Sequence, residues 1–133
     1  VRTSLPDNPL FIDGNAEQLG KTIMSLLNNG MYAIAKKYGK KAYPAEIGLA
    51  LESKDGQAVI RLYDNGVGIE QSILDKIFDP FFTTKTTGEA AGIGLYLSKE
   101  IILNHHGQIA VRSEKDELTE FTITLPLWEE KSV

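Results

Sequence analysis

The sequence has no cysteine, and only two histidines, one tryptophan and two methionines among 133 residues. Without thiols there is no disulfide, no thiolate zinc site and no cysteine nucleophile. That composition is compatible with the cytoplasm. No apolar run approaches the roughly 20 residues that a membrane span requires, and no signal-peptide pattern is present. Basic residues are in deficit, 14 Lys+Arg against 18 Asp+Glu for a formal net charge of −4, and they form no cluster. Phosphate neutralisation supplies most non-specific nucleic-acid affinity, so a nucleic-acid binder is excluded. Two familiar nucleotide motifs are also missing. There is no Gly-x-x-x-x-Gly-Lys-Ser/Thr loop. Gly66 and Gly68 are followed by Gln71, and Gly92 and Gly94 by Leu97, where a dinucleotide fingerprint needs a third glycine.

What is present suits one domain. Hydrophobic residues make up 42% and charged residues 24%, ordinary for a globular protein of a size that needs no staple. Residues 1–9 read as a linker from an upstream domain, residues 10–128 as the domain itself, and residues 129–133 as a tail. The start at Val1 rather than Met reads as a segment of a longer polypeptide. Leu10–Ile12 suggests a short strand. From Asn15, a plausible N-cap, Leu19, Ile23, Leu26/Leu27, Met31 and Ile34 recur at helical steps. Lys36, Lys37 and Gly39 suit the end of that helix. The period then becomes two: Ala45, Ile47, Leu49 and Leu51 alternate with Glu46, Gly48, Ala50 and Glu52. Asp55-Gly56 signals a hairpin turn, and Ala58–Tyr63 is the return strand. A short helix fits Glu70–Ile77, and a long helix Gly92–Asn104. Between them, residues 79–91 show little periodicity, and an irregular loop of about a dozen residues tends to be functional. Strands near Gln108–Ser113 and Thr119–Leu127 complete an α+β fold. It is expected as a two-layer sandwich, with about three helices on one face of a mixed, mostly antiparallel sheet of about five strands.

Five of the 12 glycines fall between Gly66 and Gly94. One group, Asp64-Asn65-Gly66-Val67-Gly68-Ile69, follows a strand; the other, Gly88 to Leu95, opens a helix. Glycine allows close backbone approach and positive φ, and a helix N-terminus with free N–H groups suits phosphate. A plain turn before a helix satisfies the same pattern. Asp64, at the end of an apolar strand, can accept a hydrogen bond from an exocyclic amine such as that of adenine, or simply start a turn. Asn28 and Asn29 interrupt an apolar helix; Ser25, Asn29 and Tyr32 share a face, and an Asn oxygen is an acceptable Mg²⁺ ligand. The two Asn lie roughly 100° apart and cannot both meet one ligand. Phe78-Asp79-Pro80-Phe81-Phe82-Thr83-Thr84-Lys85 suggests a hydrophobic anchor for a mobile cover, with Lys85 either meeting a terminal phosphate or sitting exposed in a loop.

Taken in order, these segments resemble the catalytic ATP-binding domain of bacterial sensor histidine kinases, in the superfamily that includes gyrase, heat-shock chaperone and mismatch-repair ATPases (Bergerat-type fold). Leu26–Gly30 is similar to its N box, Asp64–Ile69 to its G1 box, Phe78–Lys85 to its F box and Gly92–Leu95 to its G2 box. Phe121–Pro126 is similar to its last strand. The resemblance runs from about Asp13 to Leu127. It implies ATP and Mg²⁺ as cofactors, with Asn29 the metal ligand and Asn29 and Lys85 the catalytic residues. It implies Asp64 as the reader of the adenine amine, with Thr119 assisting there. The implied nucleotide site comprises Asn29, Tyr32, Asp64, Gly66, Gly68, Ile69, Phe81, Lys85, Ala91, Gly92, Ile93, Gly94, Leu95 and Thr119, with residues 79–91 as the lid. The implied partners are a phosphoacceptor histidine hairpin of the same polypeptide and, indirectly, a response regulator. The parent protein is implied to be a cytoplasmic or membrane-anchored homodimer, with no nucleic acid and no direct membrane contact at this domain.

Departures from the pattern leave open a nucleotide-sensing module without transfer activity; a serine kinase of the same superfamily is a further reading because its motifs are similar, though Phe78–Lys85 favours the histidine branch. Ser25 stands where the family often has Asn and its hydrolysing members Glu; a serine cannot activate water as that Glu does. Gly30 replaces the usual Ala, weakening the helix by up to about 1 kcal/mol. Ala90 replaces the first glycine of the G2 box, and Asp116-Glu117-Leu118 replaces a glycine turn. The two histidines, His105 and His106, are read as the end of a helix rather than as phosphoacceptors.

Overall fold

The computed structural model describes residues 2–39, 45–80 and 95–128. Asn15 caps the first helix, α1 (Ala16–Tyr38), as expected: its side chain accepts the Gln18 N–H, and Glu17 and Lys36/Lys37 complement the two ends of the helix dipole. Gly39 closes it at φ 61°, donating its N–H to Ala35 O. The buried stripe is Thr22, Leu26 and Gly30, with Leu19, Ile23 and Leu27 packed beside it. Met31, expected on that face, is 59% exposed. The stripe passes to Gly30 instead, where the Asp64 side chain at the end of the third strand faces the helix.

Five strands form one mixed sheet in the order β1-β2-β3-β5-β4. They are β1 (Arg2–Ser4), β2 (Ile47–Lys54), β3 (Gln57–Asp64), β4 (Gln108–Glu114) and β5 (Leu118–Pro126). β1 pairs parallel to β2, and the other three pairings are antiparallel. Two expectations need correcting. The stretch read as linker carries β1, because Arg2–Ser4 find the open edge of β2. Residues 10–12 are not a strand; the Phe11 carbonyl instead accepts the Trp128 N–H at 2.7 Å. The short helix α2 is only Gln71–Leu74, and α3 is described from Tyr96 to Asn104.

Register sorts the inward residues into rows. Leu51, Ile60, Ile123 and Ile109 form one row across β2, β3, β5 and β4, and Leu49, Leu62, Phe121 and Val111 form the next. With Leu26, Ile77, Leu95 and Ile102 these residues, Leu51 excepted, build the core. The last row of the same face is Ile47, Asp64, Thr119 and Ser113. An apolar face therefore ends in three adjacent polar side chains, all buried.

The C-terminus of α3 explains both histidines. Asn15 N–H donates to His105 Nε2 at 2.9 Å, and His105 Nδ1 lies 2.7 Å from Ile101 O. An amide only donates and a carbonyl only accepts, so the proton sits on Nδ1 and both ring nitrogens are occupied. His106 takes φ 64°. Its N–H bonds Leu103 O while Gly107 N–H bonds Ile102 O, the paired bonds of a Schellman turn. Since the left-handed position costs a non-glycine residue about 1 kcal/mol, His106→Gly is expected to stabilise the domain by about that amount in urea unfolding. A destabilised variant would contradict this account of the turn.

Candidate functional site

Two residues of the polar row, Asp64 and Thr119, line a cavity of about 310 Å³ between α1, the loop after β3, and the β4–β5 turn. That volume lies at the lower end of the range for small-molecule sites. Val67, Ile69, Ile73 and Phe121 supply apolar walls; Asn29, Tyr32 and Lys36 face it from α1. Asn28 is exposed and absent from the lining, whereas Asn29 is half-buried on it. The choice between the two asparagines is thus a matter of which side of α1 faces the sheet.

Asp64 is 5% exposed. Burial pushes its carboxyl up from 3.8 to about 6, opposed by a hydrogen bond from Gly66 N–H to Oδ1 at 2.9 Å. That i to i+2 bond is an Asx turn, and it holds the second carboxyl oxygen away from the loop. Gly30 faces Asp64, but a Cβ there would lie 3.4 Å from Asp64 Oδ2, ordinary contact that an alanine would also satisfy.

The loop after β3 is fastened on three sides. Asn65 Oδ1 accepts the Glu46 N–H at 2.8 Å, and Tyr38 OH donates to Asn65 O at 3.1 Å. Val67 N–H donates to Ala33 O at 3.3 Å, and a Cβ on Gly66 would come within 2.5 Å of the Ala33 backbone. Gly68, at φ 70°, lies so near the β4–β5 turn that a Cβ would meet Glu114 O at 2.1 Å. Ile69 N–H donates to Ser113 Oγ at 2.8 Å, and Gln71 Nε2 donates to Ser113 O at 2.9 Å. Glu70 and Lys115, both on the cavity wall, pair at 2.9 Å. Hydrogen bonding and charge from Lys115 lower the Glu70 pKa, and the same contact raises that of Lys115. Both are largely exposed, so the pair closes the rim rather than stabilising the fold.

Of the residues expected at a nucleotide site, Asn29, Tyr32, Asp64, Gly68, Ile69 and Thr119 line this one cavity. Gly66 acts through the Asp64 turn. Leu95 is placed elsewhere: its side chain is 1% exposed in the core, and its N–H bonds Ile77 O at 3.3 Å. Phe81, Lys85, Ala91, Gly92, Ile93 and Gly94 lie outside the described residues. Phe78, the first aromatic of its segment, packs edge-on against the cavity residue Phe121, ring centroids 6.5 Å apart. Ser113, Lys36, Glu70 and Lys115 were not anticipated at the site. Ser113 was legible, because β4 alternates Ile109, Val111, Ser113, and the last inward residue of β3 and the first of β5 are polar too.

A magnesium ion fits this donor set in one way. Among the described residues no three His, Cys, Asp or Glu side chains gather to hold a metal. Asn29 offers one carbonyl oxygen at the cavity. Mg²⁺ keeps several waters and takes few protein ligands when phosphate oxygens supply the rest.

A family model described as histidine kinase-, DNA gyrase B- and HSP90-like ATPase matches residues 14–129. Sporulation kinase D of Bacillus subtilis (strain 168) is 34% identical over 123 residues, 92% of this chain and 22% of that protein. The signal transduction histidine-protein kinase AtoS of Escherichia coli (strain K12) is 39% identical over 122 residues, 91% of this chain and 19% of that protein. The chain thus spans about a fifth of the length of these curated relatives. Among solved structures, the catalytic domain of histidine kinase ThkA superposes with a TM-score of 0.75 at 25% identity, covering 94% of this chain and 76% of that one. A mycobacterial sensor histidine kinase, MprB, shares the fold at a TM-score of 0.74 and 22% identity, covering 95% of this chain and 83% of that one.

Proposed function

The chain belongs to the histidine kinase-, DNA gyrase B- and HSP90-like ATPase family, and from that membership we propose that it binds Mg·ATP in the cavity beside α1 and donates the γ-phosphoryl group to a histidine on a separate helical hairpin of the same polypeptide. One observation carries this reading: a buried carboxylate, Asp64, and a half-buried amide, Asn29, face a single apolar-walled cavity. At neutral pH the ionised Asp64 accepts from the adenine amine. Val67, Ile69 and Ile73 give the ring an apolar slot. Asn29, on the same cavity, is the residue that would offer its oxygen to a phosphate-bound magnesium ion; when bound, the ion neutralises charge on the phosphates, which is most of what phosphoryl transfer asks of a protein. Lys85 and the backbone of Ala91–Gly94 are proposed to meet the terminal phosphates.

Donation is favoured over hydrolysis by Ser25. It is exposed and absent from the cavity lining, so that position supplies no base to activate water. His105, with both ring nitrogens occupied, is not the acceptor. A response regulator is the proposed indirect partner, and the cytoplasm the proposed location. No described helix is long and apolar enough to cross a membrane.

The test supplies the parent protein's acceptor hairpin with γ-labelled ATP and Mg²⁺. Acid-labile label on the hairpin is the expected outcome. Acid-stable label would point to a serine kinase, and tight nucleotide binding without label to a sensing module. No Mg-dependent ATP or ADP binding in calorimetry would overturn the proposal.

A further inference from the structure

Ser113 is 3% exposed, and three hydrogen-bonding groups surround its hydroxyl. Its Oγ accepts the Ile69 N–H at 2.8 Å, donates to Leu118 O at 2.7 Å, and lies 2.8 Å from Thr119 Oγ1. The direction of the last bond follows from the other two. A hydroxyl has one proton and two lone pairs. Leu118 O only accepts, so it takes the Ser113 proton. Ile69 N–H only donates, so it fills one lone pair. The remaining lone pair can only accept, which makes Thr119 the donor. With its proton committed to Ser113, Thr119 keeps only lone pairs for anything in the cavity. Among the described residues Thr119 Oγ1 has no other hydrogen-bond partner.

We infer that Ser113 is a positioning residue that locks Thr119 as an acceptor beside Asp64, so that the cavity selects a base bearing an amino group over one bearing a carbonyl at that edge. Thr119 and Asp64 are directly opposed on β5 and β3, and both line the cavity. The ionised Asp64 is likewise acceptor-only. An exocyclic amine brings two protons to two acceptors. A carbonyl oxygen brings lone pairs to lone pairs, and leaving buried polar groups unpaired is what makes such discrimination steep. Ser113 reaches the base only through Thr119, and through Ile69, whose amide it pins. This inference rests on the proposed nucleotide binding.

The experiment compares ADP with IDP, in which a carbonyl replaces the adenine amine, by calorimetry on wild type, Ser113→Ala, Ser113→Cys and Ser113→Thr. Removing the hydroxyl frees the Thr119 proton to turn toward a carbonyl. Ser113→Ala is therefore expected to reduce the ADP-over-IDP preference about fivefold, the size of one ordinary hydrogen bond. Ser113→Cys keeps the volume with a poor acceptor. It is expected to behave the same way, and it reads the effect if the alanine variant does not fold. Ser113→Thr restores the hydroxyl and is expected to keep the wild-type ratio. A purely structural role would weaken both nucleotides by one factor and leave the ratio unchanged in Ala and Cys alike, overturning the inference while leaving nucleotide binding intact. Wild type binding neither nucleotide would instead overturn the nucleotide reading itself, and this inference with it.

Discussion

Replacing Asp64 by Asn is expected to weaken adenine-nucleotide binding roughly a hundredfold, or about 3 kcal/mol, while making the nucleotide-free domain more stable. The binding loss comes from the fixed orientation of the side chain. Gly66 N–H holds Oδ1, so an asparagine would keep its oxygen there and turn its NH₂ toward the base. Donor would then face donor where carboxylate had faced amine. The stability gain comes from burial. Desolvation lifts the Asp64 carboxyl from 3.8 to about 6, so the fold favours its neutral form. A raised folded-state pKa contributes stability that is complete below the unfolded value and is lost as pH rises through the folded one. The wild type is therefore expected to lose about 2 kcal/mol between roughly pH 4 and pH 6 relative to Asp64→Asn, and to remain below it at pH 7–8. Taking the difference between two proteins removes the opposite trend from Glu70, whose lowered pKa they share. Urea unfolding of both at several pH values checks the second half, and calorimetry with Mg·ADP the first. Parallel stability curves would show that Asp64 is not destabilised by burial; unchanged affinity would show that it does not touch the base.

Gly68→Ala is expected to destabilise the domain by about 3 kcal/mol or more, the largest cost among the described glycines. Two penalties combine. The residue sits at φ 70°, and its Cβ would be driven to 2.1 Å from Glu114 O. Backbone cannot yield as a flexible side chain can, and this backbone is tied down by the Ser113 bonds. Two glycines serve as controls. Gly56 has φ 76° but open space around its Cβ, so Gly56→Ala carries the conformational penalty alone, about 1 kcal/mol. Gly20 lies within α1 with nothing near its Cβ, so Gly20→Ala is expected to stabilise by up to about 1 kcal/mol. Thermal or urea unfolding of the three variants orders them. A Gly68→Ala variant no worse than Gly56→Ala would mean that the loop after β3 is not packed on the β4–β5 turn. Because that contact forms one wall of the cavity, nucleotide affinity is expected to fall with it.

Much of this molecule follows from local chemistry. The cap at Asn15, the helical spacing of Leu19, Ile23 and Leu26, the alternation in β2 through β5 and the Asp55-Gly56 turn each act over a few residues, and each formed where periodicity and turn chemistry place it. Asp64-Asn65-Gly66-Val67-Gly68 was legible as a turn for the same reason. Other features depend on partners far along the chain. Arg2–Ser4 become a strand only because β2 leaves an edge open nearly 50 residues later. Met31 lost its place in the buried stripe because the end of β3 lies against α1 at Gly30, through Asp64, and the loop after it at Ala33. Leu95, similar to a phosphate-capping residue by motif, is a core residue because its side chain reaches the sheet face that α3 covers.

The sequence holds no thiol and no surplus of basic residues, and the cavity is lined by one buried carboxylate, Asp64, one amide, Asn29, and the exposed lysines Lys36 and Lys115. Residue types and spacing alone thus determined which chemistry was available, the order of elements and the turn that carries Asp64. Residue spacing left the two asparagines open and the family resemblance chose Asn29; only the tertiary structure put Asn29 on the cavity wall, stood Ser113 and Thr119 beside Asp64, and supplied the bonds on which the direction inferred for the proton between them rests. Those choices rest on the register between strands far apart in sequence, where a shift of one residue would turn every inward side chain outward.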